Sequence, residues 1–175
     1  GVAVATGWAW YGILEQRSPA ALILSRQNLP NPGRGPESGL APAEGVLRGG
    51  YVLKDCEGTP DVILMASGSE LSLALDASDA LAENGVSTRV VSMPCMEWFD
   101  DQPKEYRDSV LLPEVKNRVS VEAGLAMPWL KYLGDAGKAI SIESFGGVGS
   151  AEELFEHFGI TADAVVAAAE SGLEE

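Results

Sequence analysis

The stretch that decides the fold is DVILMASGSELSLALDASDALAENGVSTRVVSMPCMEWF, residues Asp61–Phe99. It opens on a continuous apolar run, Val62–Ala66, of the kind that fills a strand covered on both faces of a parallel sheet. Ser67 and Glu70 have the spacing of a capping box, which predicts a helix start there. Leu71, Ala74, Leu75, Ser78, Leu81 and Ala82 then recur at helical spacing, and Gly85 stands where a helix stops in the left-handed conformation. A second run rich in β-branched residues, Thr88–Ser92, ends short of Pro94, which has no N–H to give a ladder. Strand, helix and strand make one βαβ unit, with a right-handed crossover expected.

Upstream of this unit, Gly50–Lys54 reads as a strand. The Cys56–Pro60 turn leads it back into Val62, so it is expected to run antiparallel to the next strand. Downstream, Gln102 or Asp101 is placed to cap a short helix with Pro103 at its first position. Val119–Ala123 and Ala139–Glu143 read as further parallel strands, joined by a helix over Met127–Leu133 that Pro128 opens. Ser150 and Glu153 form another capping box before Leu154, Phe155 and Phe158, and Gly159 ends that helix. Thr161 caps a last helix that packs Ala164, Val165, Ala168 and Ala169. These elements predict an α/β fold: a three-layer α/β/α sandwich on a mixed, mostly parallel sheet with one antiparallel strand.

Gly1–Gln16 carries Trp8, Trp10, Tyr11, Ile13 and Leu14 and reads as a helix with a wide apolar face, despite Gly7 and Gly12. Ala20–Leu24 reads as a short apolar strand. Asn31–Gly45 holds four glycines and three prolines, the composition of a linker. The expected organisation is an incomplete unit over 1–30, a linker over 31–45 and a domain over 46–175. A helix and one strand cannot bury both faces of that strand, so the chain reads as a piece of a longer polypeptide.

Twelve basic residues face 26 acidic ones, a formal net charge of −14. Such a surface repels polyanions, which sets aside nucleic acid and anionic membranes as partners. No apolar run is long enough to cross a bilayer. Cys56 and Cys95 are the only cysteines, too few for a disulfide framework or a thiolate zinc cluster. They read as free thiols of a cytoplasmic protein.

In open α/β sheets, ligands favour the crevice beyond the carboxyl ends of the strands. Ser67-Gly68-Ser69, Glu122-Ala123-Gly124 and Glu143–Gly147 are expected there. The Ser-Gly-Ser turn is either an anion site at a helix start or a plain βα turn; it lacks GxGxxG spacing and a P-loop lysine. Glu122 and Glu143 either face one another for acid–base work or satisfy nearby loop N–H groups. His157, the single histidine, has no nucleophile or carboxylate partner at a recognisable spacing. Arg26 directly follows the apolar Ala20–Leu24 run, and its guanidinium suits either a bidentate phosphate contact or a loop salt bridge.

The run LILSRQNLP (Leu22–Pro30) resembles the segment that closes the pyrimidine-binding domain of transketolases. VILMASGSE, VVSMPCMEWFDDQ, YRDSVLLP, RVSVEAG, ISIESFG and LFEHFGIT resemble the transketolase C-terminal domain, in order and spacing. The turn reading FGGVGS departs from the family's FGAS wording and carries no assigned role. The resemblance implies a thiamine diphosphate enzyme of the pentose phosphate pathway, moving two-carbon ketol units between sugar phosphates. It implies a divalent metal, Mg or Ca, and a homodimer for the full-length enzyme, with the cofactor machinery outside this chain. One family site residue maps here: Arg26, as a contact to the substrate phosphate. The chain alone is then expected to bind no cofactor and to be inactive. The competing expectation is an independent small-ligand- or nucleotide-binding α/β module using Ser67-Gly68-Ser69.

Overall fold

The computed structural model of the 175-residue chain describes residues 2–25, 27–30, 33 and 38–174. Five strands form one sheet: β1 (Tyr51–Lys54), β2 (Val62–Ala66), β3 (Thr88–Ser92), β4 (Arg118–Val121) and β5 (Lys138–Ile140), in the order β1-β3-β2-β4-β5. β2 lies at the centre and pairs in parallel with β3 and β4, and β4 pairs in parallel with β5. β1 is the antiparallel strand, with Tyr51 opposite Ser92 and Val52 opposite Val91. The sheet is therefore mixed with one antiparallel strand, as the sequence predicts.

The β1 neighbour differs from the sequence expectation. The Cys56–Pro60 turn does not close a hairpin onto β2; it carries the chain past β3, so β1 takes the edge and β2 keeps two parallel partners. An antiparallel strand on the edge of an otherwise parallel sheet is a common arrangement.

Alternation along the strands divides the interior into two cores. Val62, Leu64, Ala66, Val90, Val119 and Val121 face one side of the sheet, under α2 (Leu71–Glu83) and α7 (Ala162–Ser171). Ile63, Met65, Val91 and Met93 face the other, with Phe99 of α3 (Met96–Asp100), Val110 of α4 (Lys104–Val110) and Leu133 of α5 (Leu130–Leu133). All five β2 residues are fully buried, so each large β2 side chain contributes about 1.5–3 kcal/mol before conformational entropy is set against it. The layers are helix, sheet and helix.

Helix ends follow the sequence in some places and not in others. At α6 (Ala151–His157) the capping box forms: Ser150 Oγ accepts from the Glu153 amide, and Glu153 Oε2 accepts from the Ser150 amide at 3.0 Å. Thr161 Oγ1 accepts from the Ala164 amide at the start of α7. α2 buries Ala74, Ala77, Ser78 and Leu81, and Ala82 turns outward. Neither Asp101 nor Gln102 caps α4; Pro103 stands at that cap, and Lys104 is the first helical residue.

α1 (Val2–Gln16) forms despite its glycines. Gly12 lets it approach closely, since a Cβ there would meet the Trp98 ring at 2.8 Å. Ala5, Trp8 and Ala9 pack on the α2 and α7 side of the core, and the Ala41 amide donates to Leu53 O at 2.8 Å. Ala20–Leu24 is not a strand: it joins no sheet, and Ile23 is 92% exposed. Apolar composition alone does not make a strand where no partner edge is offered.

Candidate functional site

The chain leaves β2 on one side for β3 and then crosses to β4 on the other, which opens a crevice beyond the carboxyl ends of β2 and β4. Ser67 follows β2 there, and Glu122 follows β4. The Ser67 hydroxyl donates to Glu122 Oε2 at 3.0 Å. The predicted capping box is absent: Ser67 makes no side-chain cap bond, and the chain runs through a 3-10 turn, Gly68–Glu70, before α2 begins. Glu70 therefore stands at the helix cap instead of in its first turn, and its side chain enters the crevice.

Glu70 is only 4% exposed. Burial pushes its carboxyl above the usual range, opposed by its own amide, by Ser69 Oγ, which donates to Oε1 at 3.1 Å, and by the Ala123 amide. Burial also raises Glu122, and the negative charge of Glu70 raises it further, against the hydrogen bond from Ser67. Burial raises both carboxyls, and the charge of Glu70 opposes the ionisation of Glu122. The pair that forms is Glu70 with Glu122.

Glu143 does not join it. Its Oε1 accepts from the Ala126 amide at 2.8 Å and from Ser141 Oγ at 2.9 Å, bonds that lower its pKa and leave it exposed. His157 ends α6 with its ring edge-on to Phe158, 4.8 Å between centroids. Arg26 lies outside the described residues. Glu70 went unread in the sequence because its spacing from Ser67 fits a cap equally well.

An anion at Ser67-Gly68-Ser69 would meet Glu122, bonded to Ser67, and Glu70, bonded to Ser69. That removes the main ground for an independent nucleotide-binding module. Among the described residues, no group of three or more His, Cys, Asp or Glu side chains is placed to hold a metal ion. No helix of the described residues is long and apolar enough to cross a membrane.

A family model described as the transketolase-like C-terminal domain matches residues 49–161, more than half of the chain. The chain belongs to the transketolase family. Among curated transketolases, that of Mycobacterium bovis is 49% identical over 177 residues, covering 97% of this chain and 24% of its own length. Transketolase 1 of Escherichia coli is 51% identical over 162 residues, covering 92% of this chain and again 24% of the relative. A variant transketolase from Pichia stipitis, solved in complex with fructose-6-phosphate, superposes with a TM-score of 0.85. It is 34% identical, covering 98% of this chain and 24% of that one. The chain thus spans about a quarter of the length of the transketolases it matches, and its residues 49–161 correspond to the C-terminal domain.

Proposed function

We propose that the chain serves as the C-terminal part of a transketolase that moves two-carbon ketol units between a ketose phosphate and an aldose phosphate. The observation that supports this best is alignment over 97% of the chain, at 49% identity, to about a quarter of a longer transketolase, together with the C-terminal domain match over residues 49–161. A relative crystallised with a sugar phosphate supports the substrate class. In this reading thiamine diphosphate and a divalent metal, Mg or Ca, do the carbanion chemistry. In the same reading, both are held by parts of the longer polypeptide outside this chain.

The domain over 46–175 then contributes assembly, within a cytoplasmic homodimer. The segment over 1–30 belongs to the neighbouring pyrimidine-binding domain, and 31–45 links the two. Arg26 grips the substrate phosphate. Its planar fork suits two phosphate oxygens, and phosphate binding away from the reacting carbons holds the sugar in register.

The experiment compares kcat/KM for a sugar phosphate and its unphosphorylated counterpart in the complete polypeptide, parent against Arg26→Ala. A loss of about ten- to a hundred-and-fifty-fold confined to the phosphorylated substrate is expected. Equal losses on both would remove Arg26 from the phosphate site. The 175-residue chain alone is expected to show no ketol transfer and no micromolar heat of binding for thiamine diphosphate with magnesium; either would contradict the assignment.

A further inference from the structure

We propose that a basic cavity beside the amino end of β4 binds the phosphoryl group of a small phosphorylated molecule. The cavity has a volume of about 360 Å³ and is lined by Lys104, Arg107, Lys116, Arg118 and Lys131. Five of the twelve basic residues of a chain with net charge −14 thus converge on one hollow, where Asp108 is the one lining carboxylate. It adjoins the start of β4, at the opposite end of that strand from the Glu70–Glu122 crevice.

The charge there is only partly neutralised. Lys104 pairs with Asp108, and Lys131 pairs with Asp100. Arg118 spends its guanidinium on neutral acceptors: Nε donates to Val115 O, Nη1 to Tyr132 O, and Nη2 to the carbonyls of Leu111 and Leu112. These bonds fix the group without cancelling its charge, and burial already depresses its pKa against the nearby Glu114. Lys116 makes no ion pair among the described residues.

Arg107 is the most informative of the five. Its Nε is buried and has no hydrogen-bond partner among the described residues, and its charge helps lower the Asp100 pKa. A buried unpaired donor is costly and rare in a native protein. The charges of Arg107 and of the unpaired Lys116, beside the fixed Arg118 cation, line the hollow and attract phosphoryl oxygens. Leu111 and Pro113 supply an apolar wall, which suits a small organic phosphate.

The test titrates the 175-residue chain with inorganic pyrophosphate and with AMP by calorimetry at matched low ionic strength. Backbone amide shifts are followed in parallel. Saturable binding is expected, with shifts confined to 104–118 and 130–132 and with each probe displacing the other. AMP binding tighter than pyrophosphate identifies an organic phosphate as the occupant; equal binding identifies the phosphoryl group alone, and both support the site. Arg107→Gln and Lys116→Gln should each weaken binding about tenfold or more. Arg107→Lys should recover part of the loss, and Arg17→Gln, at an exposed position just past the end of α1, should change nothing. Absence of saturation, or an equal loss in Arg17→Gln, overturns the proposal. Unchanged amide spectra elsewhere show that the variants still fold.

Discussion

Ser67 and Glu122, 55 positions apart in sequence, meet at the carboxyl edge of the sheet, where the serine hydroxyl donates to the glutamate at 3.0 Å. That bond ties the turn after β2 to the turn after β4 and leaves Glu122 facing Glu70. Both glutamates carry raised pKa values, from burial first and, for Glu122, from the neighbouring charge.

The sign of the pH dependence follows. Between the ordinary carboxyl value and the raised one, the folded chain holds more protons than the unfolded chain. The pair's contribution is therefore fully present below the ordinary range and is lost as pH rises through the raised values. Glu70→Gln keeps an acceptor and removes a buried charge, so it should stabilise the chain at pH 7 by about 1 kcal/mol, with the gain vanishing toward pH 4. Urea midpoints for parent and variant across that range check it. A constant difference at all pH values would show that Glu70 does not titrate differently on folding.

Arg89 is the buried half of a bidentate pair. Nε and Nη2 donate to the two oxygens of Asp55 at 2.9 and 2.8 Å, and Nη1 donates to Ser109 O at 2.8 Å. It joins the end of β1, β3 and the end of α4. Asp55→Ala strands the guanidinium and should cost about 1–3 kcal/mol by urea unfolding. Arg89→Lys should not restore stability, because a single ammonium cannot serve both carboxylate oxygens and the carbonyl. A fully stable lysine variant would reduce this contact to a simple surface pair.

Gly49 combines a φ of +78° with the closest backbone approach before β1. A Cβ there would stand 2.3 Å from Phe99 N and 2.4 Å from Cys95 O. Gly49→Ala must move the start of α3 or the strand, so a loss of about 3 kcal/mol or more is expected. Gly58, with a similar φ of +80° but nothing within 4 Å, should lose only about 1 kcal/mol as alanine. Thermal melts of the two variants separate crowding from conformational strain.

Two serines in similar sequence settings should respond differently. Ser150→Ala removes a formed cap and should cost about 1 kcal/mol, read as faster amide exchange confined to α6. Ser67→Ala removes no cap and should leave exchange in α2 unchanged, while altering the pH dependence set by Glu122. Accelerated exchange along α2 would restore the capping role that the spacing first indicates.

The sequence carried the order of the elements because each signal is local. Val62–Ala66 is apolar throughout, Gly85 and Gly159 both adopt positive φ, and Ser150 and Thr161 cap within three residues of themselves. Its motifs also carried the family, since short words in a fixed order survive without any geometry.

Contacts between segments far apart in the chain belonged to the tertiary structure. The spacing of Ser67 and Glu70 describes a cap and a crevice carboxylate equally well, and only the approach of Glu122 from β4 separates the two. Likewise β1 pairs with β3 at the sheet edge while β2 keeps two parallel partners, an arrangement that no turn signal at Cys56–Pro60 records. Arg107, Lys116 and Lys131 are ordinary surface residues in the sequence. They become one basic cavity only when α4, α5 and the segment leading into β4 come together, because electrostatic fields add through space and not along the chain.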